Sequence, residues 1–420
     1  MTPGRSAARH LRPRGDGVEQ PITTVELFFD LVYVFAVTQL SHMILEDLTV
    51  AEVGRAAFLL LIVWWAWIYT TWMANWFDPA SPAVRAVLTG VMLASLLMAA
   101  ALPGAFGAHG VLFAAGYVVL QVGRNAAAAS LLGRDQPLRH VFERLVGWSA
   151  ASGVLWLAGA ALPGDRRLLL WIPAVALELC APVAGYWLPR RGRAVTTDYD
   201  IAGGHFTDRC QGFIIIALGE SIVVTGATAA DAGLTSTVVL CLGIAFVETA
   251  ALWWLYFGAV AERSRDVMST CEDPGRLARD AYTYLYVPIV AGIIAAAVGD
   301  DLLIAEPGGA LHGVGLAMVL GGPVLYLLGE TLFRLRVTGA ANAKRLAVAA
   351  MLVLLAPIGP QISALALSAT VAGLLSALAL WELRTPARQA LGLRLVAPTD
   401  APGGLLGELR NPQQQQEGTS

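Results

Sequence analysis

Ten stretches of roughly twenty mostly apolar residues recur along the chain, and an eleventh is about twice as long. They fall near 25–45, 56–77, 83–102, 109–132, 141–162, 168–188, 209–229, 235–259, 281–299 and 311–333. The long one, 345–382, holds two helices broken around Pro357, Gly359 and Pro360, because proline interrupts a helix. A bilayer's hydrocarbon core takes about 20 residues of helix. Inside it every backbone polar group must bond within the protein, which leaves helices and closed barrels as spanning structures. The pattern therefore predicts an all-α, polytopic transmembrane helix bundle of about 12 helices. Composition agrees: 14% of residues are charged and mean hydropathy is +0.62, against about 25% charged in soluble domains.

The regions divide accordingly. Residues 1–22 are polar and arginine-rich and lack the apolar core and cleavage site of a secretory signal, so they read as an N-terminal cytoplasmic tail. Residues 23–384 form the transmembrane domain, with possible halves 23–190 and 203–384. The segment 385–420, ending NPQQQQEGTS, reads as a disordered cytoplasmic C-terminal tail. Arginine placement sets the orientation. With the N-terminus inside, Arg5, Arg9, Arg12, Arg14, Arg134, Arg139, Arg190, Arg191, Arg193, Arg263, Arg265, Arg276, Arg279, Arg336, Lys344, Arg345, Arg384 and Arg388 fall on the cytoplasmic side. Only Arg55, Arg166 and Arg167 fall opposite, where Glu46, Asp47, Glu52, Asp231, Asp300, Asp301 and Glu306 make acidic loops. Both ends are expected inside a bacterial plasma membrane.

The chain repeats itself. HVFERLVGW at 140–148 and HFTDRCQGF at 205–213 both fit His-x-x-acid-Arg-x-x-Gly-aromatic, 65 residues apart. The following helices, ELCAPVAGYW at 178–187 and ETAALWWLYF at 248–257, each carry Glu and then Tyr eight residues later. Two helical hairpins thus read as copies in one orientation, a feature frequent in transporters.

Ionisable residues at bilayer depth cost about 2.5–3.5 kcal/mol each on insertion scales and need a partner or a role. One layer, toward the cytoplasmic side, holds Asp30, Asp78, Arg124, Glu143, Arg144, His205, Asp208 and Arg209, with Asn75, Asn125, Glu330 and Arg334. It reads either as structural ion pairs or as a gate of exchangeable pairs. His205 and Arg209 are four apart and share a helix face. Glu220 follows Arg209 on that face, about 16 Å deeper. A deeper layer holds Glu178, Glu220 and Glu248 on helices 6, 7 and 8, with Gln39, Gln121 and His42 for company. These carboxyls read either as a proton- or cation-carrying site or as helix clamps bonded to neighbours. Tryptophans 64, 65, 67, 72, 76, 253 and 254 read as interface anchors or packing, and Gly212, Ala217, Gly219 and Gly226 as sites of close helix contact.

Several classes are excluded. A net charge of −3 with no long basic block gives no nucleic-acid partner. Cys180, Cys210, Cys241 and Cys271 have no metal or redox spacing. No G-x-x-x-x-G-K-[ST], H-E-x-x-H, G-x-S-x-G or kinase signature occurs. The chain is therefore expected to use no ATP, metal or cofactor and not to be an enzyme. Its expected partners are the lipid bilayer and an unknown small solute or proton.

VELFFDLVYVFAVTQLSH at 25–42, WIYTTWMANWFD at 67–78 and HFTDRCQGFIIIALGESI at 205–222 resemble the bacterial low temperature requirement A family of integral membrane proteins. The resemblance covers residues 22–385 and carries Glu26, Phe28, Phe29, Asp30, Asn75, Asp78, His205, Arg209, Gly219, Glu220 and Ser221 onto the family's motifs. Asp208 departs from it, standing where the family pattern implies Glu, and Cys210–Gln211 are more polar than usual there. What the resemblance implies is a multi-pass plasma-membrane protein linked by name to growth in the cold, with no settled activity. Three readings follow: a secondary transporter or permease using the midplane glutamates, a non-transport sensor or scaffold in cold adaptation, and an intramembrane lipid-modifying enzyme.

Overall fold

The computed structural model describes residues 10–13, 20–189, 192–194, 201–258 and 260–395, with side chains to 383. Arg5, Arg9, Arg14, Arg190, Arg191 and the chain beyond 395 lie outside the described residues. The described residues are all helical, 81% of them in helix, with twelve main helices. They are α1 (Thr24–Glu46), α2 (Val50–Trp76), α3 (Pro82–Ala100), α4 (Gly110–Leu131), α5 (Pro137–Ala160) and α6 (Leu168–Val183). Then come α7 (Gly203–Ala232), α8 (Ser236–Phe257), α9 (Pro274–Ala305), α10 (Gly313–Thr338), α11 (Ala343–Leu354) and α12 (Ala364–Leu395). A short helix, Ala261–Thr270, follows α8. Among the described residues nine helices are long and apolar enough to cross a membrane. Of the other three, α6 and α11 are short, at 16 and 12 residues, and α5 opens on Arg139, Glu143 and Arg144.

The ends follow local chemistry. Thr23 and Glu26 form a reciprocal capping box at the start of α1, which satisfies two of the orphaned N–H groups of a helix end. Thr49, Thr235 and Asn342 cap α2, α8 and α11. The break between α11 and α12 falls at Pro357–Pro360, as the prolines predict.

One end differs from the sequence reading in a way that matters. Asp300 and Asp301 were expected in an outer loop after a helix ending at 299. They lie inside α9, 3% and 8% exposed. Two adjacent acids after a glycine look like a loop, but no helix breaker follows until Pro307. Hydroxyls on α7 supply the donors that let the acids stay inside.

Packing explains the glycines. A Cβ on Gly212, Gly219 or Gly226 of α7 would meet nothing within 4 Å, so these are not the close-contact sites expected. That contact is made between α9 and α10. A Cβ on Gly292 would lie 2.5 Å from the Tyr326 nitrogen, and one on Gly322 would lie 2.5 Å from the Ala296 nitrogen. Small residues let backbones approach where lipid gives no hydrophobic drive to helix pairing. The tryptophans of α2 are core residues: Trp64, Trp65 and Trp67 are all buried. Trp64 meets Phe213 of α7 edge-on at 5.1 Å, and Trp67 lies 4.6 Å from the same ring. Large apolar side chains such as Phe28, Ile215, Val223 and Phe246 stay exposed on the outside, where they meet lipid.

Substituting Gly292 or Gly322 with leucine is expected to abolish recovery of monodisperse protein in mild detergent, whereas Gly219→Ala leaves it unchanged. Size-exclusion chromatography of the three variants checks this.

Candidate functional site

α1 and α7 run parallel and carry matched polar residues. Glu26 meets His205 and Asp30 meets Arg209, each pair 179 residues apart. Glu26 Oε1 lies 2.8 Å from His205 Nε2. Its Oε2 accepts from the Thr23 amide, the Thr23 hydroxyl and the Arg12 guanidinium, each at 2.8 Å. Backbone contacts of Ala202 fix the orientation of the Asn75 amide. Asn75 Nδ2 then donates to His205 Nδ1 at 3.1 Å, which leaves Nε2–H to donate to Glu26. One turn deeper, Arg209 donates to both oxygens of Asp30 at 2.9 and 2.8 Å, and Trp67 donates to Oδ1 at 2.8 Å. The guanidinium also sits 5.6 Å from the Trp67 ring centre. This fork-to-fork pairing is the strong form of an ion pair.

A second polar layer lies further along α7. Glu220 is fully buried, and its Oε2 accepts from Thr38 of α1 at 2.5 Å. Its Oε1 has no hydrogen-bond partner among the described residues. His42 of α1 is exposed, and its electrostatic influence reaches both Glu220 and Asp301 of α9. The neighbouring Ser221 donates to Asp300 at 2.9 Å and shares a hydrogen bond with Thr249 at 2.8 Å. Thr228 donates to Asp301. Glu248 of α8 faces Asp300 and makes no hydrogen bond to a described residue, though only 3% exposed.

Glu178 is elsewhere. It sits among α4, α5 and α6 and accepts from Tyr117, from Ser152 at 2.7 Å and from Trp156 at 3.1 Å. Tyr117 in turn accepts from Gln121 at 2.9 Å, and Gln121 accepts from Arg124. The three midplane glutamates grouped by depth therefore have separate partners. Depth along a helix is legible in a sequence, but which helices are neighbours is not.

The remaining residues of the first layer divide. Asp30, His205 and Arg209 come together. Arg124 is buried on α4 and bonds neutral acceptors. Asp78 closes the α2–α3 turn by accepting from the Ala80 amide at 2.9 Å. Glu143 pairs with Arg139 at 2.9 Å and His140 at 3.5 Å on its own helix, beside the half-buried Arg144. Asp208 pairs with Arg265 at 3.3 Å. The two His-x-x-acid-Arg strings thus occupy unlike places, since the His140 side chain is 57% exposed and that of His205 is wholly buried. Glu26, Arg12, Asp300 and Asp301 were missed as site residues. The T-V-E capping spacing was the available signal for Glu26. A third buried network, Glu330, Arg345 and Glu382, joins α10, α11 and α12. Among the described residues no cluster of three or more His, Cys, Asp or Glu side chains could hold a metal ion.

The sequence profile of the bacterial low temperature requirement A proteins (LtrA) matches residues 21–380. The chain belongs to the LtrA family. A relative from Rhizobium meliloti (strain 1021), the uncharacterized protein RA0937, is 36% identical over 306 residues, covering 72% of this chain and 75% of its own length. No solved structure matches significantly. This LtrA protein is thus a multi-pass membrane protein, and the α1 and α7 strings that carry the family likeness form the Glu26–His205 and Asp30–Arg209 pairs.

Removing one partner of a buried pair leaves an uncompensated charge and typically costs about 3–5 kcal/mol. Arg209→Ala is therefore expected to lower the thermal unfolding midpoint in detergent sharply, with Asp30→Asn recovering part of the loss in the double variant. Scanning fluorimetry of the four proteins tests it.

Proposed function

We propose that this LtrA protein is a secondary transporter that couples a small solute to proton or cation movement. In this reading it sits in the bacterial plasma membrane with both ends on the cytoplasmic side and has no enzymatic step. The supporting observation is the unequal donor supply to its buried carboxyls. Glu178 accepts from three side chains, whereas Glu220 has one donor and Glu248 none among the described residues. A buried charge without donors is costly, so such a carboxyl takes up a proton or a cation and can release it when its surroundings change. Glu220 and Glu248 then carry the coupling ion, together with Asp300 and Asp301, and Glu178 becomes a clamp.

The Glu26–His205 and Asp30–Arg209 pairs close the other end of the same helix pair and serve as the gate. The two halves, 23–190 and 203–384, are led by α1 and α7 in this account. Their parallel course supports a repeat related by an axis along the membrane normal.

Proteoliposomes holding an internal pH indicator test the proposal. An imposed pH gradient is expected to dissipate with the wild-type protein and not with Glu220→Gln or Glu248→Gln, both purified as folded protein. Glu178→Gln is expected to transport at a reduced thermal stability. Absence of proton or cation flux from folded wild-type protein across a panel of ions would overturn the transporter reading and favour a sensor or scaffold.

A further inference from the structure

A groove of about 540 Å³, counting its open mouth, lies between α2, α5, α6 and the first turns of α9. Its walls are aromatic, with Tyr69, Trp72, Trp76, Phe142 and Tyr186. Its polar lining is Asn125, Arg279 and Thr283, and it includes no carboxylate.

Two helices distort where they meet it. α4 widens into a π-helical turn at Val119–Gly123, directly before Arg124 and Asn125. α9 does the same at Ala278–Tyr284, which contains Arg279 and Thr283. Single π-helical turns inside α-helices are rare and concentrate at functional sites. The turn in α9 is braced from α2: Trp64 donates to the Thr283 carbonyl at 2.8 Å, and Trp72 donates to its hydroxyl at 3.2 Å.

The charges around the groove are unbalanced. Arg279 of the lining shares the Asp280 carboxylate with Arg276 and Arg336, at 2.8, 3.8 and 2.7 Å. Behind the wall Arg124 lies 5.5 Å from the Tyr69 ring centre. It is 1% exposed, and among the described residues no carboxylate lies within ion-pair distance of it. Glu178, whose charge Arg124 senses, already has its three donors. Surplus guanidinium charge over flat apolar walls suits an anion with a flat apolar body. Arginine both pairs with carboxylates and stacks on aromatic faces.

We propose that this groove binds a small organic anion of the aromatic carboxylate class. That the anion is also the transported solute rests on the transporter reading above; its binding does not.

The test is calorimetric titration of the full chain in detergent with benzoate, and with benzylamine and benzyl alcohol as isosteric cation and neutral probes. Benzoate is expected to bind saturably and more tightly than either. Arg279→Gln in the lining is expected to weaken it by roughly tenfold or more, as for loss of a charged hydrogen-bond partner. Arg124→Gln is expected to weaken it as well, and should that variant not fold, Arg279→Gln decides. Equal or tighter binding of benzylamine or benzyl alcohol would overturn the proposal. So would absence of saturable benzoate binding, or benzoate affinity unchanged by Arg279→Gln. Benzoate binding without proton flux would leave the groove assigned and remove the transporter reading. Flux without benzoate binding would do the reverse.

Discussion

The bidentate pair between Asp30 and Arg209 fixes the relation between the two helices on which the polar interior is built. Each member alone would be prohibitively placed at its depth. Together, with the Trp67 donor, they set α1 against α7 in one register. That register puts Glu26 opposite His205 at one end and Thr38 opposite Glu220 further in. Sliding either helix by one residue would break all three contacts at once. α2 is held to the same pair through its buried tryptophans, and Arg12 ties the approach to α1 onto the end of α2 through the Ala74 and Phe77 carbonyls. α9 then packs on α7, and α10 on α9 through glycines.

In the proposed reading, structural acids differ from coupling acids by their donors rather than by their depth. Glu178, Asp30 and Glu26 are each met by several donors and are at rest. Glu220 is met only by Thr38 and Glu248 by no described donor, while the Ser221 and Thr228 hydroxyls serve Asp300 and Asp301. A carboxyl in that condition is poised to exchange a proton, which is what coupling requires. The groove over Arg279 lies toward the α5–α6 side, with different lining residues from this cluster. In the proposed reading binding and coupling occupy different places in the bundle, and α9 contributes residues to both.

Much of the fold was legible. Twenty-residue apolar runs have few alternatives, and the break at Pro357–Pro360 follows from proline's missing N–H. Asp300 and Asp301 were misread because a Gly-Asp-Asp run is a loop signal until one knows that Ser221 and Thr228 stand opposite. The glycines of α7 were misread for the same reason: spacing along one helix does not say which face meets a neighbour. Asp30, His205 and Arg209 were found as individual residues, but their pairing across 179 positions is tertiary information. Glu178 was grouped with Glu220 because depth can be computed from one helix and adjacency cannot.

The central claim is that Glu220 and Glu248 hold exchangeable protons while Glu178 is a clamp that exchanges none. Infrared spectroscopy of the protein reconstituted at neutral pH tests it most directly through the carbonyl stretch of a protonated carboxyl. The account predicts that this band diminishes in Glu220→Gln and in Glu248→Gln and persists in Glu178→Gln. A band that is lost only in Glu178→Gln, or no protonated-carboxyl band in the wild-type protein, would contradict it.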